Sequence, residues 1–244
     1  MKFTQIAALC ALASTAAFTQ AAVWQDFSLS ALYGENYKAP FAAGNEKIDQ
    51  STITAEYAAG LKYGDIFAFA DRTNNDFGNE TYFEVAPRLS LGAVTGQKLE
   101  LGPIKDVLIA TTWEGNSGAS DFNNYLYGIG FALNIPYTSY ANINFYKADN
   151  DLQKDDYQMT ITYAVPFKIG GEEFLADAFL DWSTAEGPDH KSELNWTSQY
   201  KWNVGKHISP KTKLYLGIEH SIWNNKFGTD VDQHDVSALV KYHF

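Results

Sequence analysis

The sequence predicts an all-β fold: a transmembrane, antiparallel, up-and-down β-barrel of the outer-membrane type, with about 12 strands. Three observations predict it. The mean hydropathy is −0.27, and no run of about 18 uncharged apolar residues occurs beyond the extreme N-terminus, which excludes a helical membrane protein. From residue 22 onward, apolar and polar residues alternate with period two, broken by turn residues, and no 3.6-residue period competes. The aromatic load is heavy, with Tyr 15, Phe 16 and Trp 6 against Met 2, and these rings tend to begin and end the apolar faces. That placement suits the two headgroup levels of a bilayer, whereas a soluble sandwich would bury its aromatics mid-strand.

The elements follow in order. Phe27, Leu29, Ala31 and Tyr33 form the first apolar face, and Ile53, Ala55, Tyr57 and Ala59 the second. Asp65–Ala70 is a short apolar run whose parity the alternation leaves open. Phe83, Val85, Leu89 and Leu91 oppose Tyr82, Glu84, Arg88 and Ser90; Val107, Ile109, Thr111 and Trp113 form the fifth face. Tyr125, Tyr127, Ile129, Phe131 and Leu133 oppose Asn124, Gly128 and Gly130, and Ala141, Ile143 and Phe145 oppose Tyr140, Asn142, Asn144 and Tyr146. Tyr157 to Val165 alternates with Gln158, Thr160 and Thr162, while Phe174–Trp182 is again ambiguous because Asp177 and Asp181 share a face with Phe179. Leu194, Trp196, Tyr200 and Trp202, then Leu214, Leu216, Ile218 and Ile222, then Val236, Ala238, Val240, Tyr242 and Phe244 complete twelve strands. The terminal aromatic on an alternating strand resembles the C-terminal signature of bacterial outer-membrane barrels.

The N-terminus sets the compartment. Lys2, the apolar and small-residue stretch from Ile6 to Phe18, and Thr19-Gln20-Ala21 read as a cleaved secretory signal peptide over residues 1–21, leaving 22–244 as the barrel. Cys10, the single cysteine, lies in that leader, and Leu9 before it argues against lipidation. Residues 22–244 therefore hold no disulfide, thiol nucleophile or cysteine-ligated metal. With both termini periplasmic, the outside connections are predicted at Asp71–Thr81, Glu114–Asn123, Ala148–Asp155, Ser183–Glu193 and Trp223–Asp235, long and acidic. Asp76, Glu80, Asp149, Asp151, Glu186, Asp189, Asp230 and Asp232 put much of the net charge of −11 there, and Lys98, Lys105, Lys168, Lys206 and Lys211 fall at the other end. Leu61–Gly64, Asn134–Pro136 and Pro166–Gly171 are the short periplasmic turns, with Gly92–Pro103 a long exception. A chain this acidic is no nucleic-acid binder.

Reaction chemistry finds little support. Asp149/Asp151 and Asp230/Asp232 lack a complete calcium loop, the five histidines show no paired-ligand spacing, and Gly115-Asn116-Ser117-Gly118 lacks the nucleophile-elbow spacing. His220 and His243 are expected at the lumen or its rim. No catalytic residue, metal or cofactor is expected, and the chain is read as no enzyme. What remains is the inward face, with ionisable Glu56, Glu84, Arg88, Lys201, Glu219 and Lys241. Glu84 and Arg88 are four residues apart on one face, roughly 13 Å at about 3.3 Å per residue, so each is expected to need a partner across the lumen or a solute. A bracing salt-bridge network and a solute path both fit. Inward Tyr82, Tyr140, Tyr146 and Tyr215 with Asn142 and Asn144 add the rings and amides that suit a flat polar solute.

These segments resemble the Tsx-type nucleoside-specific channel family of the outer membrane, which includes OmpK-type proteins. The resemblance is carried by Gly64-Asp65 through Phe69-Ala70-Asp71, by Tyr82-Phe83-Glu84-Val85-Ala86-Pro87-Arg88-Leu89-Ser90, and by Leu99-Glu100-Leu101-Gly102-Pro103-Ile104-Lys105. It continues through Tyr125-Leu126-Tyr127-Gly128-Ile129-Gly130, Asn142-Ile143-Asn144-Phe145-Tyr146 and Phe179-Leu180-Asp181-Trp182, and is densest from residue 64 to 182. It implies a monomeric twelve-stranded barrel in the outer membrane of a Gram-negative bacterium, amid lipids and lipopolysaccharide, whose narrow lumen passes nucleosides by facilitated diffusion. Asp71, Glu84, Arg88 and Asp181 lie in the matched motifs and are the lumen residues it implies. Some family members are phage receptors, so a receptor role of the outer loops is a further implication. The alternative reading is a non-specific, cation-preferring pore, or a structural or receptor barrel without solute specificity.

Overall fold

The computed structural model describes residues 22–118, 121–185, 187 and 189–244; the leader reading over 1–21 and Glu186 lie outside them. Twelve antiparallel strands close on themselves: β1 (Ala22–Lys38), β2 (Lys47–Leu61), β3 (Gly64–Asn75), β4 (Gly78–Ser90), β5 (Ile104–Ser117), β6 (Phe122–Leu133), β7 (Tyr140–Asp149), β8 (Asp156–Ile169), β9 (Glu172–Ser183), β10 (Glu193–Asn203), β11 (Lys213–Asn224) and β12 (Gln233–His243). Each pairs with its sequence neighbours, and β1 pairs with β12 to close the wall. Closure gives every strand two partners, which a backbone in hydrocarbon requires.

The alternation sorts side chains as expected. On β12, Gln233, Asp235, Ser237, Leu239 and Lys241 are buried toward the lumen while His234, Val236, Ala238, Val240 and Tyr242 are exposed outward. The outward aromatics reach polar groups at both rims. Tyr33 Oη donates to Asp49 at 3.2 Å and Trp113 Nε1 to Asn123 at 3.1 Å at the end far from the termini. Tyr57 Oη donates to Gln25 at 3.3 Å and Trp202 Nε1 to Glu172 at 2.8 Å at the termini end. Rings with an apolar body and a wet tip are the girdles of a membrane barrel.

Two-residue turns set the register. Lys62–Tyr63 joins β2 to β3, pairing Leu61 with Gly64 and hence Glu56 with Phe69. Gly170 and Gly171, at φ 58° and 85°, make the β8–β9 turn, a geometry with both central residues left-handed that glycine adopts without steric cost.

The strands run further than the sequence predicts. The expected loop Asp71–Thr81 is only the turn Asp76–Phe77, because Thr73 pairs with Glu80 and Asn75 with Gly78. Glu114, expected in a loop, lies within β5 opposite Glu84. The loops at the two ends therefore differ less in length than expected. Hydrogen bonding continues the ladder beyond the apolar band, so hydropathy marks the bilayer rather than the strand ends. Leu91 departs from the apolar face of β4: it begins a one-turn helix, Leu91–Thr95, where Ser90 Oγ accepts from Ala93 N at 2.9 Å as an N-cap. His220 also departs, since its pairing with exposed Val236 puts it on the outward face.

Candidate functional site

The lumen divides into two tiers. Toward the termini end, its cations are matched one to one. Arg88 Nε and Nη2 donate to the two oxygens of Asp65, at 2.8 and 2.7 Å, and Nη1 reaches Asn144 Oδ1 at 3.4 Å. Lys201 is wholly buried and donates to Asp177 at 2.6 Å and to Gln199 Oε1 at 2.9 Å. Lys241 pairs with Glu56, which also accepts from Ser28 Oγ at 2.9 Å. The expectation of a partner across the lumen for Arg88 is corrected: Asp65 is its direct neighbour on β3. A bidentate guanidinium–carboxylate pair fits this adjacent register, which a same-strand spacing cannot reveal.

Midway along the lumen, five carboxylates form no direct ion pair among the described residues, although Lys241 lies within electrostatic reach of Asp71 and Glu219. Asp71 accepts from Thr54 Oγ1 at 2.6 Å, Glu84 from Tyr82 Oη at 2.7 Å and Glu114 from Asn124 Nδ2 at 3.4 Å. Asp181 accepts from Thr160 Oγ1 at 2.5 Å and Glu219 from Gln199 Nε2 at 2.8 Å. In each, one oxygen takes these bonds and the other has no donor among the described residues. Glu84 is within electrostatic reach of Glu114, Asp181 and Asp71. Gln199 joins the tiers, since its amide donates to Glu219 and its carbonyl accepts from Lys201.

An aromatic track runs beside these carboxylates. The parity of Asp65–Ala70, open in the sequence, is settled by register: Phe67 and Phe69 share the lumen face with Asp65 and Asp71. Successive ring centroids from Phe67 to Phe69, Tyr82 and Phe122 are 5.9, 5.8 and 6.3 Å apart. This continuous apolar surface faces a set of spare acceptors.

The sequence-predicted residues divide between the two roles. Asp71, Tyr82, Glu84, Asp181 and Glu219 meet in the unpaired tier, and Tyr140 stands exposed nearer the termini end. Arg88 and Lys201 belong to the paired tier. Asn142 donates to Thr162 Oγ1 at 3.3 Å, Asn144 is Arg88's second partner, and Tyr146 packs with Ala110, Leu126 and Ala148. Gly130 leaves the space that Asn144 occupies; a Cβ there would stand 2.5 Å from Asn144 Oδ1. Asp65, Phe67, Phe69, Glu114 and Asp177 are lumen residues that the sequence reading did not single out as candidates. Among the described residues, no group of three or more His, Asp or Glu is placed to hold a metal ion. Asp232 accepts from Asn225 N within its own loop, and Asp151 accepts from Asn123 N at the start of the neighbouring β6.

The family model for the nucleoside-specific channel-forming protein, Tsx, matches residues 23–244. Outer membrane protein OmpK of Vibrio parahaemolyticus is 27% identical over 69% of this chain and 66% of its own length. Nucleoside-specific channel-forming protein Tsx of Klebsiella pneumoniae is 26% identical over 60% of this chain and 53% of its own. The matches thus span between about half and two thirds of these relatives. Among solved structures, the chain is similar to the NanC porin, with 11% identity and a TM-score of 0.49 over 88% of this chain and 98% of that one.

Proposed function

The chain belongs to the Tsx family of nucleoside-specific channel-forming proteins, and from that premise we propose that it passes nucleosides through its lumen by facilitated diffusion, with the far mouth outward. The observation that supports this most is the track from Phe67 to Phe122 beside carboxylates with spare oxygens. A nucleoside has a flat base that stacks on rings, and its hydroxyl and amino groups donate to acceptors. Stacking contributes about 1–3 kcal/mol per base. Binding stays weak, because a solute held tightly cannot leave. Phosphate is disfavoured: the carboxylates repel it, and Arg88 and Lys201 are already committed to Asp65 and Asp177.

Uptake of labelled nucleoside into liposomes holding the purified protein tests the proposal. Saturable nucleoside entry, faster than that of free ribose or of a nucleotide, is expected. Equal entry of all three identifies a general pore, and no entry of any identifies a structural or receptor barrel.

A further inference from the structure

The loop between β11 and β12, residues 225–232, folds over the far mouth. Lys226 is 7% exposed, and its ammonium is within electrostatic reach of Asp235 on β12, Glu193 on β10 and Glu80 on β4. A point that feels strands on opposite sides of a twelve-stranded ring lies above the lumen, not above the wall. Lys226 Nζ donates to Lys38 O at 2.9 Å and to Gln233 Oε1 at 2.7 Å, with the rings of Trp223 and Phe227 at 4.9 and 5.2 Å from it. Glu193 holds the loop from the other side, accepting from Trp223 Nε1 at 2.7 Å and from Phe227 N at 2.9 Å.

The neighbouring backbone is bent to meet it. Paired residues of β1 and β12 end at Tyr33 and Ala238. Beyond that point, Asn36 N and Lys38 N donate to the Asp235 and Gln233 side chains, each at 3.0 Å, in place of ladder bonds. Tyr37 Oη meets Ser237 Oγ at 2.9 Å. The end of β1 thus crosses the lumen side of β12, and Phe41 in the following loop stacks on Phe227 with centroids 5.9 Å apart. The covering loop is also strained: Asn225 and Phe227 sit at φ 51° and 55°. Such a conformation in non-glycine residues costs energy and persists where surrounding contacts hold it, as at switches.

We propose that residues 225–232, latched by Lys226 and stacked on Phe41, form a lid that opens and closes the far mouth. The closed form is the one described. Opening requires the Lys226 ammonium to leave Lys38 and Gln233 and the Phe41–Phe227 stack to part. It breaks the bonds that tie Phe227 N to Glu193, Gly228 O to Lys191 N and Asn225 to Ser192 O; it also releases the strain at residues 225 and 227.

The test is a single-channel recording in plain salt, needing no nucleoside, so its failure leaves the proposed solute untouched. Residues 22–244 contain no cysteine, so the double variant Phe41→Cys/Phe227→Cys carries one candidate cross-link. Oxidation, or a short bifunctional maleimide, is expected to join the two side chains and lower the current at least tenfold; reductant should restore the oxidised channel. Lys226→Ala, in protein whose heat-modifiable gel mobility shows a folded barrel, is expected to lengthen open dwell times several-fold. The lid is overturned if the cross-link forms without changing the current, if the two positions cannot be joined, or if Lys226→Ala gates like the parent.

Discussion

The two tiers of the lumen are built from the same residue types and differ in pairing. Near the termini, Asp65, Asp177 and Glu56 each pair directly with a cation; farther in, Asp71, Glu84, Glu114, Asp181 and Glu219 take their hydrogen bonds from hydroxyl and amide donors. A matched charge pair braces a wall and offers nothing to a solute. A carboxylate with one oxygen spare remains an acceptor and a source of negative field. Local pairing, more than charge content, therefore separates scaffold from candidate path. Sequence alone left these two readings of the inward charges open; the structure shows the bracing pairs near the termini, and the solute path along the unpaired carboxylates is our proposal.

The contrast is broken most severely by removing a paired cation. Lys201→Ala strands Asp177 in the wall, and loss of one partner of a buried pair costs about 3–5 kcal/mol. A clear drop in the midpoint of heat or urea unfolding in detergent is expected, whereas Glu219→Gln, which keeps an acceptor for Gln199, should shift it little. Equal shifts would erase the distinction between the tiers.

A smaller effect is expected from the aromatic track. Phe69→Ala should weaken nucleoside block of the ion current by a factor between about 5 and 150, corresponding to the 1–3 kcal/mol of one stacked base. Phe145→Ala, on the outward face of β7 away from the lumen, serves as the control. A matching loss in the control would disconnect the track from binding.

Glu84→Gln with Asp181→Asn should reduce the cation preference seen as a reversal potential in a salt gradient. The parent's preference should itself fade as salt rises, because the Debye length falls from about 10 Å at 0.1 M to about 3 Å at 1 M. Anion preference in dilute salt would contradict the unpaired tier.

The smallest effect concerns pH at the lid. Burial pushes the Lys226 pKa down to about 8, while a solvated lysine titrates near 10.4. The closed lid therefore binds this proton less tightly than the open one. By linkage, raising pH from about 8 toward 10 favours closure, and below about 8 the term is constant. Asp235, Glu193, Glu80 and His190 face the lid from β12, β10, β4 and the loop before β10, and Lys191 in that same loop pairs with Asp230 of the lid. Open probability should fall modestly over this range in the parent and not in Lys226→Ala.

Much of the wall was legible from the sequence, since period-two alternation carries lumen and lipid faces separately, as on β12. More of the lumen was available than alternation alone extracted. The short turn Leu61–Gly64, once read as a two-residue connection, ties Phe69 to Glu56 by register. The Gly170–Gly171 turn likewise ties Asp181 to Thr160 and so resolves the ambiguous ninth strand. Arg88's pairing with Asp65 was not legible, because it depends on which strand lies alongside and at what offset. The lid was not legible either: its bonds join β1, β10, β11 and β12 through loop geometry that no residue pattern encodes.

The central claim is tested most directly by titrating the parent channel with adenosine and, separately, with its 5′-monophosphate while recording ion current. Adenosine is expected to reduce the current in the micromolar to millimolar range, about 8 to 4 kcal/mol of binding, and the monophosphate far more weakly. Block by both at the same concentration, or by neither at saturation, would contradict a nucleoside path along the unpaired tier.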